Sequence, residues 1–372
     1  MIYLDNAATS FPKPRAVVDA LYECVTQYCG NPGRSSHAMS RLAAEAIFDA
    51  RENVCSLLKL DSPERVVFTY NATYALNLAI KVLINSPCHV ITSDIEHNAV
   101  VRPLERLKRT VGVKISEFDS DIDIKTQIES LIRPDTRAIV STLCSNVTGK
   151  MIPIKALSET AKEHGIILIL DASQAVGHID IDLSELYFSA FCAPGHKGLF
   201  GIQGSGFVVF GDDERRDSFI EGGSGSDSEN KNMPILLPER YEAGTLSTPA
   251  IVTLSRGIDF LHSEGIDTFA KRIERMSFKL CEILNSLHGV QLLSCANGII
   301  SFNVGELDSE AVSVALDGYG ICTRGGLHCA PSAHKKLGTL RHGAVRVSLS
   351  PFTTQRDVDM LYMALREIVS SI

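Results

Sequence analysis

The sequence predicts an α/β protein, a mainly parallel β-sheet covered by helices on both faces and joined to a smaller α+β domain. Three observations carry that expectation. From residue 41 to residue 210, short apolar runs alternate with stretches of helical periodicity, the pattern of repeated βα units. One run, Ile166-Ile-Leu-Ile-Leu-Asp171, is apolar without interruption, as a strand buried on both faces must be. Beyond about residue 254 a long helical stretch is followed by separated strands and helices, which fits a second unit of α+β type.

Residues 1–14 read as an extended lead-in and residues 15–29 as a helix. The loop Asn31-Pro-Gly-Arg-Ser-Ser-His37 is marked by adjacent Pro and Gly. Leu42, Ala46, Ile47, Ala50, Val54, Leu57 and Leu58 recur at helical spacing over residues 41–58. A strand over 65–70 passes through Asn71-Ala-Thr73 into a helix with Leu76, Ala79, Ile80 and Leu83 on one face. A strand over 89–92 leads to Glu96-His-Asn98, and a helix over 123–132 and a strand over 137–141 lead to the loop Cys144-Ser-Asn-Val-Thr-Gly149. The helix 154–164 runs into the strand ending at Asp171. Two further strands, 187–193 and 206–210, flank a glycine-studded turn that holds His196 and Lys197. Residues 221–238, polar and rich in glycine and serine, read as a mobile loop. The remainder reads as a long helical stretch over 254–287, a strand at 298–302, a helix at 309–319, strands at 321–324 and 345–349, and a last helix at 354–369. The expected division is a large domain of residues 15–253 and a small domain built from residues 1–14 and 254–372.

With 372 residues, 45% of them hydrophobic and 22% charged, the chain is long enough for two domains with a sizeable core. A formal net charge of −8 argues against nucleic acid or an acidic membrane surface as a partner. No apolar run approaches the ~20 residues of a membrane span. The first residues carry no basic segment followed by an apolar core, and the ten cysteines have no regular spacing, so reduced thiols and a cytoplasmic setting are expected. There is no Cys-x-x-Cys pair, His-Glu-x-x-His or Gly-Lys-Ser/Thr sequence, and no metal is expected.

The chemistry concentrates at a few positions. A lysine in a tight turn between apolar strands is partly desolvated, which lowers its pKa and frees the amine to attack an aldehyde; Lys197 is so placed. Asp171 falls at the carboxyl end of a buried strand, where open α/β sheets hold their ligands, and Gln174 follows three residues on. A buried aspartate facing a pyridine nitrogen keeps that ring protonated, which pyridoxal 5′-phosphate requires. The turn Asn71-Ala-Thr73, between a strand and a helix N-terminus, suits an anion. Each residue alone also fits a plainer role: Lys197 as a solvated turn lysine, Asp171 as a helix cap or metal ligand, and Thr73 as a cap. His97 fits an N-terminal helix histidine, His37 a loop histidine and Cys329 an inert buried thiol.

Taken in order, Tyr3-Leu-Asp-Asn-Ala-Ala8, Glu96-His-Asn-Ala-Val100, Asp171-Ala-Ser-Gln174, Gly195-His-Lys197 and Arg324-Gly-Gly-Leu-His-Cys-Ala-Pro331 resemble the class V aminotransferase family, in its cysteine desulfurase and selenocysteine lyase branch. The resemblance covers nearly the whole chain. It implies a pyridoxal-phosphate-dependent transferase of fold type I that works as a homodimer. Lys197 then carries the cofactor as an imine and moves protons at the substrate, Asp171 holds the pyridinium, Gln174 bonds the phenolic oxygen and His97 stacks on the ring. Ala72, Thr73, His196 and the neighbouring copy's Thr245 meet the phosphate. Asn146 lies near cofactor and substrate carboxylate, Arg346 clamps that carboxylate, and Arg324 and His37 are further substrate-binding candidates. Cys329, bracketed by Gly325, Gly326 and Pro331 and helped toward the thiolate by His328, attacks the sulfur of L-cysteine. The products implied are alanine and a persulfide for a sulfur-acceptor protein.

Sixteen residues separate Cys329 from Arg346, which implies the branch with a compact cysteine loop. The alternatives are a selenocysteine lyase, which uses the same residues but needs less from the cysteine, and another class V reaction such as a transaminase, epimerase or kynureninase-like hydrolase. A scaffold of the same fold without catalysis is the alternative outside enzymes, and the intact Lys197, Asp171 and Cys329 argue against it. Pro194 and Ala72 stand where the family commonly has hydroxyl side chains at the phosphate, each removing a hydrogen bond of ~1 kcal/mol.

Overall fold

The structure of the chain, a computed structural model, describes residues 1–33, 37–212, 216–226 and 229–370. Residues 34–36 of the expected loop before the second helix and 227–228 of the expected mobile loop lie outside the described residues. In chain order the first elements are β1 (Ile2–Tyr3), α1 (Arg15–Glu23) with a π-helical turn after it, α2 (Ala38–Leu58), β2 (Val66–Thr69), α3 (Ala72–Leu83), β3 (His89–Ser93), α4 (Asn98–Thr110) and β4 (Lys114–Phe118). Then come α5 (Ile124–Leu131), β5 (Thr136–Thr142), α6 (Ile154–His164), β6 (Ile167–Asp171), β7 (Ala190–Pro194) and β8 (Gly206–Phe210).

Strands β2 to β8 form one seven-stranded sheet in the order β2-β8-β7-β6-β5-β3-β4. Neighbours from β7 to β4 are parallel, and β8 runs antiparallel to both β7 and β2. β2 therefore points the same way as β7, and β8 is the one reversed strand. Alternate residues of each central strand enter opposite cores: Leu168, Leu170, Phe191, Phe207 and Val209 pack in one, Ile169, Ala190, Cys192, Val208 and Phe210 in the other. Both faces are thus buried, as an uninterrupted apolar strand demands. α2, α5 and α6 cover the first face, α3 and α4 the second. The edge strand β4 was not expected, because Lys-Ile-Ser-Glu-Phe mixes charged and apolar residues as a half-exposed edge strand does.

The rest comprises α7 (Thr248–Glu264), α8 (Ile266–Ser286), β9 (Val290–Ala296), β10 (Ile299–Val304), α9 (Ser309–Gly318), β11 (Ile321–Cys322), α10 (Pro331–Lys336), β12 (Val345–Ser348) and α11 (Gln355–Ser370). The single helical stretch expected over 254–287 is two helices, broken at Gly265 with φ +84°, a backbone value that suits glycine. The expected boundary at residue 253 falls inside α7, whose Leu254, Ile258 and Leu261 lie in the core of the large sheet. β9, also unexpected, joins β10 and β12 in an antiparallel sheet packed on α8, α9 and α11. The N-terminus joins this unit: β1 pairs with β11, and Ser348 donates its N–H to the Leu4 carbonyl at 2.7 Å. Reduced cysteines were expected throughout. Cys281 of α8 and Cys295 of β9 instead form a disulfide, their Cα atoms 6.6 Å apart, while eight cysteines are free. The pairing follows from β9 folding back along α8, a contact no cysteine spacing reveals. Among the described residues no helix is long and apolar enough to cross a membrane, and no group of side chains could hold a metal ion.

Candidate active site

Five chain segments leave the same edge of the large sheet, because β2, β3, β5, β6 and β7 all point one way. They carry Ala72 and Thr73, His97, Asn146, Asp171 with Gln174, and His196 with Lys197, and they line one cleft. This is the carboxyl edge at which open α/β sheets take their ligands. Asp171, 2% exposed, ends β6 and accepts from Ser173 N–H at 2.9 Å. Burial lowers the pKa of Lys197 to about 8, against the opposing pull of Asp171 and reinforced by Arg346 and Arg324. Its neighbour Gly198 lies against the Val176 carbonyl, where a Cβ would come within 2.2 Å, so only glycine lets the lysine turn seat this deeply.

The His97 ring serves two ends at once. Its Nδ1 accepts from Ala99 N–H at 3.0 Å and caps α4, so the neutral ring presents Nε2–H to the cleft. Burial lowers its pKa, which favours that neutral form. Glu96 fixes the turn from below: it is fully buried, accepts from Thr142 N–H at 2.8 Å and from the Ser93 hydroxyl, and ties the end of β3 to the end of β5. Burial raises its pKa to about 8.

One end of the cleft is a helix N-terminus. Asn71 Oδ1 caps α3 by accepting from Tyr74 N–H at 2.9 Å, leaving Ala72 and Thr73 in the first turn. His196 faces the same cleft with a buried Nδ1 that has no hydrogen-bond partner among the described residues, and burial lowers its pKa to about 4. Gln174 gives one amide N–H to the Ala7 carbonyl at 2.9 Å and keeps a second. Together these groups suit a ligand with a phosphate at one end, a basic ring nitrogen at the other and an aldehyde between them.

The cysteine loop closes against this cleft. Cys329 is free and exposed, and its carbonyl accepts from Asn98 N–H at 2.7 Å, directly beside His97. The preceding carbonyl, of His328, accepts from Asn146 Nδ2 at 2.8 Å. The imidazole of His328 does not serve the thiol as expected. It is 4% exposed, with Nε2 at 3.1 Å from the Arg324 carbonyl and Nδ1 at 3.1 Å from His334, so neither nitrogen is free to take a proton from Cys329. Arg346, 1% exposed, bonds Asp5 Oδ1 at 2.6 Å and the Asn146 carbonyl at 3.1 Å, and its Nε has no hydrogen-bond partner among the described residues. Arg324 pairs with Arg346 through both backbone groups, at 3.2 and 2.7 Å, and so stands beside it.

Residues 2–361 match the sequence profile of the Aminotransferase class-V family. The chain belongs to the class V aminotransferase family. Among its relatives, a probable cysteine desulfurase of Methanothermobacter thermautotrophicus is 31% identical over 99% of this chain and 94% of its own. The cysteine desulfurase of Pectobacterium atrosepticum is 29% identical over 99% of this chain and 93% of its own. The apo structure of the cysteine desulfurase from Thermococcus onnurineus NA1 superposes with a TM-score of 0.92 at 27% identity, covering 100% of this chain and 95% of that one.

Five expected site residues of this class V family member do not line the cleft: Cys329, Arg324 and Arg346, described above, and also His37 and Thr245. His37 caps α2, its Nδ1 accepting from Ser40 N–H at 3.2 Å. Thr245 is exposed and does not line the cleft of its own chain, while Glu242 just before it is locked inward on Arg51 at 2.6 Å. Other contributors were not singled out in the sequence. Four donors converge on the carbonyl of His196: Ser10 N–H at 3.0 Å, Ser10 Oγ at 3.2 Å, Thr9 Oγ1 at 3.1 Å and Lys13 Nζ at 3.1 Å. With Asp5 on Arg346 and Ala7 on Gln174, the first thirteen residues latch the lysine turn and the arginine from outside. Lys13 beside Ser10 was the available signal, a charged residue in a segment with no helical or strand pattern of its own.

Proposed function

We propose that this protein is a pyridoxal 5′-phosphate-dependent cysteine desulfurase that converts L-cysteine to L-alanine and leaves the sulfur as a persulfide on Cys329. The observation that carries the reading is the hydrogen bond from Asn98 N–H to the Cys329 carbonyl, which ties the backbone of a residue with a free, exposed thiol to the residue that follows His97 of the Lys197 cleft. The relatives named above, with full-length similarity, support the same activity.

Lys197 would hold the cofactor's aldehyde carbon, Asp171 its ring nitrogen, Gln174 its phenolic oxygen, and Ala72, Thr73 and His196 its phosphate. When bound, the cofactor supplies an electron sink for charge developing at the substrate Cα. Lys197, with its lowered pKa, takes and returns the Cα proton near neutral pH. Arg346 offers the substrate carboxylate its unpaired Nε–H and the remaining N–H groups beside it. The Cys329 thiolate attacks the substrate Sγ: an S–S bond forms, the Sγ–Cβ bond breaks with its electron pair going to carbon, and a proton at Cβ completes alanine. The proposal includes a homodimer in which the exposed Thr245 reaches the other copy's phosphate, and a protein that accepts the persulfide sulfur. It also includes the two-domain division and a cytoplasmic setting.

The test compares wild type with Cys329→Ser, both loaded with cofactor. The variant keeps the absorbance band near roughly 420 nm, because Lys197 and its neighbours are untouched. Alanine formation from L-cysteine falls by several orders of magnitude and the adduct of about 32 Da on Cys329 disappears, whereas selenocysteine turnover falls far less. Unchanged cysteine turnover overturns the reading.

A further inference from the structure

We propose that His334 is a positioning residue for Cys329, acting through His328 by a buried, one-directional hydrogen-bond chain that holds the cysteine loop in a strained conformation. The inference rests on Cys329 being the sulfur-accepting thiol. His328 and Cys329 are consecutive non-glycine residues with φ of 50° and 56°. Left-handed backbone at two side-chain-bearing residues in succession persists only where the surroundings over-determine it. The backbone carbonyls of both residues are held by Asn146 and Asn98 on the cleft side. Gly326 is tied at both backbone groups, to Ser309 Oγ and to Ala344 N–H, and at residues 328 and 329 the further side-chain anchor is the His328 ring.

The direction of that chain follows from one acceptor. The Arg324 carbonyl can only accept, so His328 Nε2, at 3.1 Å, carries the hydrogen and the neutral ring's Nδ1 accepts. His334 Nε2, at 3.1 Å from that Nδ1, must then donate, and its own Nδ1 accepts from the Thr339 hydroxyl at 2.8 Å. Thr339 is itself tied back by its N–H to the His334 carbonyl at 2.9 Å. The two rings are nearly coplanar, 17° between planes with centroids 5.3 Å apart, as a ring-to-ring hydrogen bond requires, and His334 is 0% exposed. Burial, with Arg346 and Arg324 close to His328, keeps both rings neutral, their pKa values lowered to about 3 for His328 and about 4 for His334. The chain ends on Arg324, whose backbone pairs with that of Arg346, so the cysteine and the arginine share one frame. His334 touches neither cleft nor thiol, and its whole effect passes through His328.

Three variants of the cofactor-loaded protein test this. His334→Leu removes the donor at similar bulk, His334→Gln returns an amide N–H toward His328, and Thr339→Val removes the group that fixes the His334 tautomer. Amide hydrogen exchange over residues 324–330 is expected to rise at least tenfold in His334→Leu with the rest of the chain unchanged. The kcat for L-cysteine falls at least tenfold with KM within twofold, and His334→Gln recovers most of both losses. In the wild type, nitrogen-15 shifts should show both histidines as Nε2–H tautomers, and Thr339→Val should disturb that pattern at His334. Exchange and kcat within twofold of wild type in His334→Leu, or equal loss in His334→Gln with exchange rising across the small domain, overturns the proposal. Any other tautomer pattern in the wild type also overturns it, even where His334→Leu does not fold. If the wild type fails to desulfurate L-cysteine, the functional reading falls while the exchange and tautomer measurements still decide the role of His334.

Discussion

In the apoprotein Lys197 should titrate near 8, well below the usual 10.5. Burial is the main cause; Asp171 and Asp5 oppose it, and Arg346 and Arg324 add to it. At pH 7 about one-tenth of the side chain is then free amine, against roughly one part in three thousand for a solvated lysine. Because the folded pKa lies below the unfolded one, the unfolded chain binds more protons between about 8 and about 10.5, and Lys197's contribution to stability rises with pH across that window. The measurement is a carbon-13 titration of the reductively methylated apoprotein, with the resonance assigned by its loss in Lys197→Arg. That assignment is needed because burial also lowers Lys13 to about 8. Asp171→Asn removes the largest opposing influence, so the midpoint should move further down. A wild-type midpoint at or above about 10, or an upward move in Asp171→Asn, refutes the account of the lysine.

Asp5 and Arg346 should be strongly coupled, since their side chains are 20% and 2% exposed and 2.6 Å apart. A cycle of Asp5→Asn, Arg346→Met and the double variant, read by urea unfolding of the apoprotein, should give a coupling of ~2–3 kcal/mol; additive single effects refute it. Gly149→Ala should destabilise by at least ~2 kcal/mol in the same assay, because φ there is +70° and a Cβ would come within 2.0 Å of the Ala296 carbonyl; an unchanged midpoint refutes it. Thr245→Val should weaken cofactor binding by about fivefold, one lost hydrogen bond, and sedimentation should show a dimer. A stable monomer with full cofactor occupancy and activity refutes the shared site.

How much of this was legible in the sequence depended on what each side chain acts upon. Asp171, Lys197, His97 and Thr73 were readable because each follows a strand whose apolar run announces both its direction and its end, and all of them face one cleft. β4 and β9 were missed because half-exposed strands do not alternate cleanly, and the break at Gly265 because one glycine is tolerated in many helices. The residues that hold the site from outside were illegible for a different reason. Ser10, Lys13 and Asp5 act on the His196 carbonyl and on Arg346, about 185 to 340 residues away in sequence, and His334 acts on a ring six residues back whose direction only the fold sets. Their targets are backbone groups or buried rings, with no residue pattern of their own. The reading of His328 shows the consequence: adjacency to Cys329 suggested a base, yet at this left-handed residue both ring nitrogens are taken up by the Arg324 carbonyl and by His334. Sequence neighbours therefore indicate shared chemistry only where the backbone between them is ordinary, and at residues 328 and 329 it is not.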